Sequence, residues 1–135
     1  MKILRKVIRE IVDHAKQEAP LEACGYLGSK DGIIKKIYAL TNIDKSNEHF
    51  SFEPKEQFLA VKDARAQGLE ICAVYHSHPA SPARPSQEDI KLAYDPNMSY
   101  FIISLADGNK ELRAFSIKSG VIVEIILEVI DDKGV

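Results

Sequence analysis

The stretch Glu70-Ile71-Cys72-Ala73-Val74-Tyr75-His76-Ser77-His78-Pro79 decides the fold. Its apolar run from Ile71 to Val74 is continuous rather than alternating, the pattern of a central strand covered on both faces. The spacing predicts a strand over Glu70–His76 with the two histidines at its end. Beyond it, Pro79, Pro82 and Pro85 punctuate a loop from Ser77 to Pro85. Ser86 to about Tyr94 reads as a short helix, stopped by the Asp95-Pro96-Asn97 turn. Tyr100–Leu105, Glu111–Ile117 and Val121–Val129 read as three strands, with turns at Asp107-Gly108-Asn109 and Ser119-Gly120. Towards the N-terminus, Pro54 to about Gln67 is a helix closed by Gly68. His49-Phe50-Ser51-Phe52 alternates like a short strand, and Thr41–Glu48 is a polar loop. Cys24–Gly28 and Ile33–Leu40 form a hairpin across Asp31-Gly32. Leu4, Val7, Ile8, Ile11, Val12 and Ala15 recur at helical spacing and stop before Pro20. No repeat or internal linker interrupts this order. The expectation is one α/β domain over residues 1–135, with a mixed, largely antiparallel sheet flanked by helices.

Composition narrows the function classes. The chain has 135 residues, 45% hydrophobic and 28% charged, enough for one domain with a core that needs no staples. Its 18 basic and 20 acidic residues leave a formal charge of -2, so no basic field argues for nucleic acid. Cys24 and Cys72 lie far apart, which excludes a disulfide scaffold and an all-cysteine zinc module and suits a reducing cytoplasm. Charged Lys2, Arg5 and Lys6 break the apolar N-terminus, unlike a signal peptide. The apolar stretch Val121–Ile130 carries Glu124 and Glu128 and is too short for a bilayer core of about 30 Å. A soluble cytoplasmic protein, with no nucleic acid or membrane partner, is expected.

Residues i and i+2 of a strand share a face, so His76 and His78 can aim at one point. Ser86 and Asp89 are neighbours at a helix start. If the proline loop folds back, Asp89 joins the imidazoles. Two neutral imidazoles and one carboxylate, with the fourth position left to water, match a catalytic zinc site rather than a closed structural one. Plainer readings stand beside this one. A single histidine is usually a surface or hydrogen-bonded residue. Ser86-x-x-Asp89 is also the capping box that starts a helix, and a capping serine can still turn its hydroxyl to a cleft. The three prolines are either a stiffened loop or a polyproline II ligand. A metal hydrolase also needs a base, and Glu22 stands out because it lies between Leu21 and Ala23, where a carboxylate costs free energy unless it is paired or functional. Cys24 and Cys72 read as small buried residues rather than nucleophiles, and His14 and His49 as structural or surface residues. A two-histidine, one-carboxylate set also occurs in non-haem iron oxygenases, but with a different spacing.

Taken together, Glu22, His76-Ser77-His78-Pro79, the seven residues to Ser86, and Ser86-x-x-Asp89 resemble the JAMM motif of the MPN-domain metalloprotease family. The context Glu22-Ala23-Cys24-Gly25-Tyr26-Leu27-Gly28 is similar to that of family members. The resemblance implies a cytidine-deaminase-like JAMM/MPN fold. It implies that His76, His78 and Asp89 hold one catalytic Zn2+, that Glu22 activates water and protonates the departing amine, and that Ser86 hydrogen-bonds the oxyanion. It further implies cleavage of a peptide or isopeptide bond after the C-terminal glycine of a ubiquitin-like protein. The chain has no room for the long insertion of some eukaryotic deubiquitinases and looks like the compact prokaryotic members, some of which act on ThiS- or MoaD-type sulfur carriers ending in Gly-Gly. The family also contains non-catalytic scaffolds that lack the ligands, and here none is missing. The isoleucine-rich Val121–Val129 segment leaves a helix cover or a homodimer contact open.

Overall fold

The computed structural model describes residues 1–108 and 110–132. Eight strands and three helices follow the order β1 (Lys2–Leu4), α1 (Arg5–Glu18), β2 (Cys24–Lys30), β3 (Ile33–Leu40), α2 (Pro54–Ala66), β4 (Glu70–His78), α3 (Gln87–Lys91), β5 (Ser99–Ser104), β6 (Glu111–Lys118), β7 (Val121–Ile125) and β8 (Glu128–Ile130). All strands join one sheet in the order β7-β6-β5-β4-β2-β3-β1-β8. β2–β3, β2–β4, β5–β6 and β6–β7 are antiparallel, while β1–β3, β1–β8 and β4–β5 are parallel. Among the described residues no helix is long and apolar enough to cross a membrane.

The sheet is curled, and the chain itself requires it. β7 and β8 lie at opposite ends of the strand order, yet only Ile126 and Leu127 separate them, a reach of at most about 11 Å. The sheet therefore wraps until its edges meet. It wraps around α1, whose Val7, Ile11 and Ala15 pack with Leu27, Ala73, Tyr75, Phe101 and Ile103, joined by Ile125, Leu127 and Ile130 from the converging edges. The seam is tied where the terminal amine of Met1 donates to the Ile126 carbonyl at 2.9 Å and the Glu128 amide donates to the Met1 carbonyl at 2.9 Å.

The other face carries two smaller clusters. Tyr26, Leu40 and Ala60 anchor α2, and Ala83, Ile102, Phe115 and Ile117 gather Ile90 of α3. Strand alternation sends Ala73 and Tyr75 of β4 towards α1, and so Val74, His76 and His78 to this second face.

Two turns have the expected chemistry. Asp31 and Gly32, and again Ser119 and Gly120, take positive φ, the conformation that tight hairpins demand. Asp107 and Gly108 also turn with positive φ, while Asn109 lies outside the described residues. Other expectations need correcting. Val121–Val129 is two strands on opposite sheet edges, not one. Its alternate residues part company accordingly: Ile125 and Leu127 reach the core, whereas Val121 and Val123 are 63% and 58% exposed. His49–Phe52 forms no strand, only a bridge from Phe52 to Asn42. Leu4 ends β1 and precedes the helix rather than opening it. The Ser86–Tyr94 helix is shorter, Gln87–Lys91.

Candidate metal centre and catalytic cleft

The β4 register delivers His76 and His78 side by side, both buried, at the end of a strand paired on both sides by β2 and β5. The loop after β4 returns and α3 begins with Ser86 as its N-cap. Ser86 Oγ accepts from the Asp89 amide at 3.0 Å and the Ser86 amide donates to Asp89 Oδ2 at 2.9 Å, a complete capping box. The capping reading of Ser86-x-x-Asp89 is therefore correct, and the cap is also what aims Asp89. Its Oδ2 lies 3.2 Å from His76 Nε2 and 3.1 Å from His78 Nε2, and the two nitrogens are 3.1 Å apart.

These three atoms form a nearly equilateral triangle. Ligands on a tetrahedral zinc with bonds of about 2.0–2.1 Å are separated by about 3.3 Å, so the triangle is close to one face of such a tetrahedron. The chemistry of the donors agrees. His78 Nδ1 lies 2.8 Å from the Pro82 carbonyl, which can only accept, so that nitrogen carries the proton. A neutral His78 then turns a bare Nε2 to the cluster, where the ionised Asp89 is also an acceptor. Two acceptors at 3.1 Å need a positive centre between them, either a proton on Nε2 or a metal ion, and the three donors converge closely enough to fit a metal ion. Locking the second imidazole nitrogen on a carbonyl is the usual way a ligand histidine is oriented. With no metal bound and the imidazoles protonated, burial alone would raise the Asp89 carboxyl, but hydrogen bonds from His76 and His78 outweigh it and hold Asp89 well below the usual carboxylate range. Burial likewise opposes charge on His78, yet Asp89 and the Pro82 carbonyl raise it.

Glu22 reaches the same point through strand register. Cys24 pairs with His76 in the antiparallel β2–β4 ladder. One step further, the Ser77 amide donates to the Ala23 carbonyl at 2.9 Å and the Ala23 amide to Ser77 Oγ at 2.7 Å. Continuing that register sets Glu22 opposite His78. Glu22 is only 3% exposed, and its Oε1 is buried without a hydrogen-bond partner among the described residues. Burial raises its pKa, partly offset by His76 and His78. A buried, unpartnered carboxylate oxygen beside a metal-ligand set is suited to take a proton from water. The neighbouring thiol is not a rival: burial, then the Glu22 charge, pushes Cys24 up to about 12.

A cleft of about 430 Å³ opens beside the centre. Its apolar lining comes from the strand residues Tyr26, Val74, Tyr100 and Ile102, from Phe50 and Phe52 before α2, and from Leu92, Tyr94 and Met98 after α3. Phe50 stacks on His76 with centroids 4.9 Å apart. His49 also lines the cleft, oriented by Asp44 Oδ2 at 3.0 Å from its Nδ1, so its assignment to the plain surface is incomplete. His14 is structural, as expected, with Nδ1 2.7 Å from the Tyr75 hydroxyl. Sequence reasoning missed Asn42, Phe50, Ser77 and Pro82. Ser77 had a signal in its place between the histidines, though parity sends it to the opposite face, and Pro82 had one in the punctuation of the loop, though it is its carbonyl that meets His78.

The fold and site together are a curled α/β sheet that presents a His-His-Asp group able to hold a metal ion beside a cleft. The chain belongs to the prokaryotic homologs of the JAB domain, whose family it matches over residues 4–118. It is 33% identical to the CysO-cysteine peptidase of Mycobacterium tuberculosis, over 93% of this chain and 88% of that protein. It is 31% identical to a probable TtuB-protein conjugate cleaving protease of Thermus thermophilus, over 91% and 80%. A solution structure of a Desulfitobacterium hafniense protein superposes with a TM-score of 0.89 at 43% identity, covering 98% of this chain and 94% of that one. A structure described as a JAMM metalloprotease-like zinc site shares the fold, with a TM-score of 0.64 at 21% identity, covering 96% and 97%.

Proposed function

We propose that the protein is a zinc-dependent metallo(iso)peptidase that hydrolyses the bond after the C-terminal glycine of a ubiquitin-like protein, with a ThiS- or MoaD-type sulfur carrier as the favoured substrate. The observation that carries this reading is the triangle of His76, His78 and Asp89 beside the buried Glu22 carboxylate, whose Oε1 has no hydrogen-bond partner among the described residues. Bound there, a zinc ion would act as a Lewis acid that lowers the pKa of water and polarises the scissile carbonyl. The remaining work falls to the chain. Glu22 removes the proton from the attacking water and delivers it to the nitrogen of the leaving amine. Ser86 keeps its hydroxyl hydrogen free while its oxygen caps α3, and it donates that hydrogen to the developing oxyanion. The apolar cleft excludes water and holds the substrate tail extended. Glycines there let the tail backbone pass close to the ligand set, where a side chain would collide.

Relatives named for CysO-cysteine and TtuB-protein conjugates support a small carrier protein as the acyl side of the bond. The test is to purify the protein, measure zinc by mass spectrometry, and assay fusions of a Gly-Gly-terminated carrier to cysteine, a peptide or a lysine side chain, with and without chelator. One zinc per chain and chelator-sensitive release of the intact carrier are expected. Undiminished cleavage after full metal removal would refute the reading.

A further inference from the structure

We propose that Asn42 is a positioning residue that holds the main chain of Glu22, and through it the catalytic carboxylate, against the metal-ligand strand. This rests on the reading of Glu22 as the general base. Asn42 is 6% exposed in what reads as a polar surface loop, and both ends of its amide are in use. With its two hydrogens Nδ2 donates to the carbonyls of Glu22 at 3.1 Å and His49 at 3.0 Å, and the Ser46 carbonyl, at 3.5 Å, shares one of them weakly. Oδ1 accepts the amides of Asp44 at 3.1 Å and Ser51 at 3.3 Å. Three carbonyls on one side and two amides on the other leave a single orientation for the side chain.

The network does two things. It folds residues 42–51 into one rigid loop, and it fastens that loop to Glu22, whose amide also donates to the Ser46 carbonyl at 2.8 Å. Glu22 is thus held on one flank by the Asn42 loop, while on the other its neighbour Ala23 is held by Ser77 of β4. Among the described residues Oε1 of the carboxylate has no hydrogen-bond partner to fix it, so its place depends on how its backbone is held. The same loop presses Phe50 onto His76. Loosening Asn42 lets the base drift while the three ligands, which it does not touch, stay assembled. A shift of about 1 Å at a reacting group can cost about 10²-fold in rate.

The test compares Asn42→Ala and Asn42→Ser with the unaltered chain and with Glu22→Gln, all full-length and zinc-loaded, on a Gly-Gly carrier–peptide fusion. The serine variant can still close the turn onto the Asp44 amide but is too short to reach Glu22, and it decides alone if the alanine variant does not fold. Both Asn42 variants are expected to keep one zinc per chain and a KM within about threefold, while kcat falls at least about tenfold. In the metal-free proteins, hydrogen exchange at the Glu22 amide is expected to quicken by at least about tenfold. A lowered melting temperature with kcat and Glu22 exchange both unchanged would overturn the inference. An unchanged kcat in Glu22→Gln would instead overturn the general-base reading beneath it.

Discussion

To act as the proposed base Glu22 must ionise against its burial, and that cost is expected in the pH dependence. Burial raises its pKa above the ordinary carboxylate range, which centres near 4.3. A base works only when deprotonated, so kcat/KM rises with pH through this raised value, and the acidic limb lies above the position of an exposed glutamate. A pH profile with parallel zinc measurements checks this, since the limb belongs to Glu22 where zinc stays bound. Glu22→Gln is expected to lower kcat by at least about 10²-fold with zinc content unchanged. Ser86 caps α3 and, in the proposed mechanism, also donates to the oxyanion, and stability and rate read the two roles separately. Ser86→Ala removes the α3 cap, worth about 1 kcal/mol in thermal or urea melts, and the oxyanion donor, worth about 10²–10³ in kcat. Ser86→Thr is expected to retain both. A variant that loses stability but not rate would leave Ser86 as a cap alone. Glu22, His76, His78, Ser86 and Asp89 each had a plainer reading alone, and what made them stand out in the sequence was their combination at the spacing of the JAMM motif. Asn42 was not, because an asparagine in a polar loop looks solvated until the loop folds over it.

At the scale of elements, β2 and β4 act as one device, and Gly25 shows how tightly they are built. A methyl group there would collide with the Tyr38 carbonyl oxygen on β3 and lie 2.5 Å from the Tyr75 ring. Tyr75 cannot easily yield, because it is fully buried and its hydroxyl is bonded to His14 on α1. Gly25→Ala is therefore expected to cost about 1–3 kcal/mol by overpacking, read as a lower urea midpoint. The cost also displaces the ladder that seats Glu22. The hairpin of β2 and β3 was legible because Asp31-Gly32 specifies its turn locally. β1 was not, because Leu4 continues the apolar spacing of α1 and only pairing with β3 and β8 makes Lys2–Leu4 extended. The break between β7 and β8 was hidden for the same reason. Neither glycine nor proline marks Ile126-Leu127, and the chain changes edges there only because the curled sheet brings the two edges together.

For the whole molecule, a metal at the triangle would join two separately folded segments, the end of β4 and the start of α3, across the proline loop. A ligand bound only by the folded state stabilises it by mass action. Removing zinc with a chelator is expected to abolish turnover and lower the melting temperature, with both restored by about one equivalent of Zn2+ per chain. His78→Ala is expected to lose metal, activity and the zinc-dependent part of the stability together. Calorimetry alongside metal analysis checks both. The curl of the sheet matters here too. By enclosing α1 on one face it leaves the other free for α2 and α3, and the trough between them is the cleft.

The sequence by itself determined which side chains are available and their local phase: the shared face of His76 and His78, the cap linking Ser86 to Asp89, the turns, and the likeness to the JAMM motif. These are properties of neighbouring residues, set by strand alternation and helix geometry. Only the tertiary structure decided that Glu22 meets residues more than fifty positions away, that Asn42 is buried beneath its loop, and that the last apolar segment splits across two sheet edges. Each depends on long-range register and closure, which no local window of the chain contains.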